Sequence, residues 1–101
     1  MVTINKPKFK LGKTVITTGA IDVIERAKQN PTTFIKCHIV ADWGEICEED
    51  KQLNNDAIAN EGDIQKQMRV MSVYKTVKNE TIWIITEFDR SVTTLLLPSE
   101  Y

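Results

Sequence analysis

The chain has 101 residues, 42% hydrophobic and 27% charged, with 13 Lys plus Arg against 14 Asp plus Glu. That is enough apolar side chain for one folded core and too much for intrinsic disorder, while 4 Gly and 3 Pro exclude collagen-like and low-complexity classes. No apolar run approaches the ~18 residues of a membrane span, and Met1 to Lys10 lacks the apolar stretch of a signal peptide, so no membrane contact and a cytoplasmic location are expected.

Residues 1–12 read as an irregular basic lead-in arm, interrupted by Pro7 and kept in water by its lysines, and residues 13–101 as a single domain. Lys13-Thr14-Val15-Ile16-Thr17 has the β-branched run of a short strand. Thr18-Gly19 opens a helix whose Ala20, Val23, Ile24 and Ala27 recur at helical spacing. Asn30-Pro31 ends it and starts a second, because Asn can cap orphan amides and Pro suits the first turn; Phe34, Ile35, His38 and Ile39 share its inward face.

Asp42-Trp43-Gly44 breaks the second helix, and a third is expected from Glu45 or Glu48 to Asn60, stopping near Gly62. Its apolar stripe is thin, with Ile46, Leu53, Ala57 and Ile58 as the inward candidates, so most of it faces water or a partner. From Arg69 the pattern becomes strand-like. Arg69 to Val77, Thr81 to Glu87 and Val92 to Leu97 are rich in β-branched and aromatic residues, with short turns between them. Trp83 and Ile85 alternate with Ile82 and Ile84, so both faces of that strand are apolar and it should be central. The expected fold is α+β: a small antiparallel sheet, made of the N-terminal strand and a C-terminal three-stranded meander, with about three helices packed on one face.

The charges are segregated. Asp42 to Asp63 holds eight acids and the single base Lys51, a net −7, whereas the other 79 residues sum to +6. An acidic centre is flanked by basic arms.

The strings His38-x-x-x-Asp42-Trp43-Gly44-x-x-Cys47-Glu48-Glu49-Asp50-Lys51-x-x-Asn54 and Ile82-Trp83-Ile84-Ile85-Thr86-Glu87-x-Asp89-Arg90-Ser91-x-Thr93-Thr94-x-Leu96-Leu97-Pro98-x-Glu100-Tyr101 resemble a family of small bacterial plasmid, prophage and conjugative-element proteins. Its members often carry the label plasmid-related protein, or methylase subunit of a type I restriction system. The resemblance runs from Phe9 to Tyr101, with departures at Ala41, where the family usually has glycine, and at Phe88, where it usually has a small residue. It implies a mobile genetic element as the setting and no particular reaction. Methyl transfer to a flipped-out base needs a doubly wound domain with a glycine-rich βα turn, and neither is present in the pattern.

His38 is the single imidazole, and Asp42 follows four residues later, near enough for a carboxylate to orient the ring. No spacing singles out a nucleophile among Cys37, Cys47, Ser91, Thr93 and Thr94, and one His with scattered carboxylates makes no metal site. The two cysteines are too few and too far apart for zinc and are expected as free thiols. No catalytic residue, metal or cofactor is therefore expected. In the turn Glu87 to Thr94, Asp89 is expected to cap, and Arg90 to bond a carboxylate such as Asp42 or Glu87. Lys6, Lys8, Lys10 and Lys13 make a basic arm too short for a dedicated nucleic-acid binder on a chain of net charge −1.

The expected function is a non-enzymatic accessory protein that binds another protein through Asp42, Trp43, Glu48, Glu49, Asp50, Asp89 and Arg90. Two alternatives follow from the same residues: an inhibitor of host restriction or CRISPR-type defence whose acidic surface imitates nucleic acid, and a small enzyme centred on His38.

Overall fold

Two helices start where a side-chain oxygen meets an orphan amide. Thr17 accepts from the Ala20 amide at 3.1 Å and starts α1 (Thr18–Arg26), while Asn30 accepts from Thr32 at 2.9 Å ahead of Pro31 and starts α2 (Pro31–Ile39). The third, α3 (Glu48–Ala59), has Cys47 at its N-cap with no side-chain cap, and three acids in its first turn take that role electrostatically. The strands are β1 (Lys13–Ile16), β2 (Val70–Lys75), β3 (Thr81–Thr86) and β4 (Val92–Leu96), followed by a 3₁₀ turn at Pro98–Glu100. These elements come from a computed structural model that describes residues 6–101. The first five residues of the expected lead-in arm lie outside the described residues.

The fold is α+β, with sheet order β1-β4-β3-β2 and β3 inside the sheet as its doubly apolar pattern requires. The sheet is mixed rather than wholly antiparallel: β2, β3 and β4 form the expected meander, but β1 runs parallel to β4, with Lys13 opposite Val92 and Ile16 opposite Leu95. Short turns force antiparallel pairing within the meander. β1 reaches it only through three helices, so nothing local fixes its direction.

Strand register puts Val70, Ser72, Tyr74, Ile82, Ile84, Thr86, Thr93 and Leu95 on the face that the helices cover. Ala20, Val23, Ile24 and Phe34 pack on Tyr74, Ile82, Ile84 and Leu95 to form the main core. A second cluster joins Phe9, Trp43, Ala57 and Val70. Phe9 is thus part of the core rather than of a free arm, with its ring 6.0 Å from that of Trp43, and the Lys8 amide bonds the Ile39 carbonyl at 2.8 Å.

The outer edge of β2 is closed within the chain. Val73 exchanges backbone bonds with Trp43 and Glu45, and Gly44 between them has φ 75. A Cβ at Gly44 would stand 1.9 Å from the Val73 carbonyl, so glycine is required by contact as well as by backbone angle. Ala41, where the resemblance leads one to expect glycine, also has a left-handed φ of 67.

Candidate partner-binding surface

The single imidazole is sealed inside the protein. His38 has no exposed surface, and Phe9 and Trp43 stand edge-on to it at 5.1 and 5.8 Å. Its Nδ1 lies 2.5 Å from Ser72 Oγ and its Nε2 2.9 Å from Thr86 Oγ1; Thr86 Oγ1 is 2.7 Å from Thr93 Oγ1, which donates to the Leu11 carbonyl at 2.7 Å. A carbonyl only accepts, and this fixes the proton order along the chain. Thr93 gives its proton to Leu11, Thr86 gives its own to Thr93, His38 donates from Nε2, and Ser72 donates to Nδ1. Burial, and then the nearby Arg90 charge, push the ring's pKa down to about 3, so it is neutral at physiological pH. The expected His38–Asp42 pair is not formed: both ring nitrogens are taken by hydroxyls, and Asp42 is exposed, with its carboxylate near Cys37. Ser72, Thr86 and Thr93 are the polar residues at inward positions of otherwise apolar strands, and that pattern is the signal by which they are recognisable as the ring's partners.

Arg90 is likewise buried, with 4% of its side chain exposed. Its carboxylate partner is Glu61, not Asp42 or the carboxylate of Glu87: Nε donates to both Glu61 oxygens at 3.0 and 3.2 Å, and Nη2 stands 2.8 Å from Oε1. Nη1 donates to three carbonyls, Met68 at 2.7 Å, Glu87 at 3.0 Å and Phe88 at 3.3 Å. The guanidinium therefore ties the meander turn to the segment after α3, 5.7 Å from the Phe9 ring centroid. An open cleft of about 490 Å³ lies over this clasp, rimmed by Lys8, Lys10, Glu61, Ile64 and Asp89. Asp89 is exposed as expected of a turn cap. Hydrogen bonds from the Ser91 side chain and amide hold its carboxyl below the usual range.

Polar groups hold α3 in place. Asn54 clasps the backbone of Met71, donating to its carbonyl at 2.7 Å and accepting from its amide at 3.2 Å. The buried Trp43 donates its indole N–H to Asn55 at 3.0 Å, which makes Trp43 a support for the helix and not an exposed anchor. Within the helix only Asn54 and Ala57 are fully buried. Leu53, expected inside, is 51% exposed, because the position facing the strand edge belongs to Asn54. Glu48, Glu49 and Asp50 are all exposed, and only Glu48 has an ion-pair partner among the described residues, Lys51 at 3.4 Å.

Beside these acids lies a groove of about 150 Å³ between α3 and β2, lined by Ile46, Asp50, Leu53, Met68, Arg69 and Met71. Of the expected binding residues, the structure gathers Glu48, Glu49 and Asp50 on one helix turn, places Asp42 before it and Asp89 at the Arg90 corner, and keeps Trp43 and Arg90 inside. Leu53 and Met68 are exposed beside the groove, while Asn54 is buried beneath it and Glu61 is held by Arg90. Cys37 and Cys47 are free thiols, and burial together with the Asp42 carboxylate raises the Cys37 pKa. Among the described residues no helix is long and apolar enough to cross a membrane. No family model, curated protein or solved structure matches the chain.

Proposed function

We propose that this chain is a non-enzymatic accessory protein that binds another protein through the outer face of α3, in the mobile-element setting that the resemblance implies. One observation carries this reading. A 12-residue helix buries only Asn54 and Ala57 and turns three first-turn acids and Leu53 outward. The sealed His38, with both ring nitrogens spent on hydroxyls, supports a structural role for the imidazole over a catalytic one. Trp43 and Arg90 serve this surface from beneath, by fixing α3 and the segment that follows it.

The test is capture from a bacterial lysate by the immobilised protein across a salt series, with the wild type beside the triple variant Glu48→Gln, Glu49→Gln, Asp50→Asn. A partner held by the wild type, released by salt and lost by the variant is the expected result. Equal retention by both proteins refutes the assignment to α3. The concentration of acids within residues 42–63 also favours the mimicry reading, in which the captured protein is a nucleic-acid-binding effector that double-stranded DNA displaces.

A further inference from the structure

We propose that the groove between α3 and β2 receives an amphipathic helix carrying an aliphatic or aromatic anchor with lysine or arginine about one turn away. The proposal rests on the reading above and names the partner that the same face fits.

Four of its seven lining residues are apolar, with Asn54 among them and Asp50 and Arg69 at the lips. Leu53 is 51% and Met68 46% exposed, and Ile46 and Met71 line the depth between them. A volume of about 150 Å³ holds one benzene-sized group, the size of a single leucine or phenylalanine side chain. Two methionines give walls that adjust to the anchor's shape.

The backbone of β2 excludes strand addition as the mode of docking. The outward amide and carbonyl of Met71 are both taken by Asn54, and those of Val73 by Trp43 and Glu45. An occupant must therefore engage through side chains, as a helix in a groove does.

Charge selects the partner. Asp50 forms the α3 lip of the groove with Glu49 beside it, and neither has an ion-pair partner among the described residues. On the opposite lip, Arg69 donates to the neutral Tyr101 hydroxyl at 2.7 Å and keeps its positive charge, so a partner's base is favoured on the α3 side of the groove and disfavoured on the other. A base presented one turn from the anchor meets free carboxylates. A second copy docked symmetrically would set one acidic turn against another, which disfavours self-association.

The experiment uses the full chain with ¹³C-methyl methionine, whose three methyls come from Met1, Met68 and Met71. The probe is a synthetic helical peptide with leucines along one face and arginines a turn away. Controls replace its leucines by serine or its arginines by glutamate. The expected result is saturable movement of the Met68 and Met71 methyl signals with the leucine–arginine peptide alone, weakened roughly tenfold or more by Leu53→Ser. Leu53 is exposed, so this variant keeps the fold.

Unmoved Met68 and Met71 signals, equal response to the serine or glutamate peptide, or unchanged affinity in Leu53→Ser overturns the proposal. Movement of the same signals on dilution alone does so as well, by assigning the groove to a second copy. Binding that is lost in the Glu48, Glu49, Asp50 amide variant but kept in Leu53→Ser removes the groove and leaves the acidic-face reading standing. Binding indifferent to both variants removes both.

Discussion

Replacing Arg90 tests how the meander turn is fastened to the helical layer. The guanidinium satisfies one carboxylate and three backbone carbonyls at once, with its side chain 4% and that of Glu61 23% exposed. Removing one partner of a buried pair costs about 3–5 kcal/mol, because the remaining charge keeps its desolvation penalty. Arg90→Met should therefore fall in that range, a large share of the roughly 5–15 kcal/mol that holds a domain of this size. Arg90→Lys keeps the charge and some donors but not the planar fork, and should lose about 1–3 kcal/mol, the cost of polar groups left unpaired. Both variants retain a Cβ, so the left-handed backbone at this position, φ 60, contributes equally to each and cancels in the comparison. Urea unfolding of Arg90→Lys, Glu61→Gln and the double variant should give a coupling of about 0.5–3 kcal/mol, against additivity for Arg90→Lys combined with Asp42→Asn. Coupling to Glu61 indistinguishable from that to Asp42 would show that the ion pair does not fasten this corner.

Three further outcomes follow from the buried polar groups and the close approach at Gly44. His38 has a folded pKa of about 3 against 6.5 unfolded, so the unfolded chain binds more protons between those values. Stability should be full above pH 6.5 and fall on acidification by roughly 1.4 kcal/mol per pH unit, a slope that urea titrations between pH 6.5 and 5 should show and His38→Gln should flatten. Asn54→Ala removes both clasps on Met71 and should cost about 1–3 kcal/mol, with hydrogen exchange at the Met71 amide rising more than at the Ile84 amide in the sheet interior. Gly44→Ala brings a methyl against the Val73 carbonyl and should lower the melting temperature by well over the ~4–8 °C that one kcal/mol represents in a domain of this size; a melting temperature equal to wild type would refute the contact.

The meander was legible because short turns and period-2 apolar runs constrain one another, and the central position of β3 followed from its two apolar faces. The direction of β1 was not legible, since a parallel or an antiparallel placement turns Ile16 inward and leaves Val15 exposed in the same alternation, and the connection is long. The thinness of the α3 stripe was legible, but its inward member was not. A hydrophobicity pattern selects Leu53, whereas the strand edge requires an amide that can both give and accept, and Asn54 meets that need. The same reason hid Glu61 as the partner of Arg90: the pair is 29 residues apart, and neither local spacing nor burial of an acid marks it in advance. The lead-in holds three lysines and one aromatic, and its charges suggest a free arm although Phe9 is a core residue.

What separates a solvated helix from a binding helix in this protein is the apolar pair and not the acids. Glu48, Glu49 and Asp50 occupy the first turn of a helix whose N-cap, Cys47, offers no side-chain bond, and acids there stabilise the helix by about 0.3–1 kcal/mol each through its dipole. Their presence therefore has a sufficient local cause, and their amides should cost the fold a little even if no partner exists. No such cause covers Leu53 and Met68. Neither is needed to hold α3, which is fixed by Asn54, the Trp43–Asn55 bond and Ala57, and each leaves about half of its surface exposed next to a groove that the described residues do not fill. Folding alone gains little from two such side chains at these positions, and a helix that places an anchor between them gains the burial that folding leaves unused.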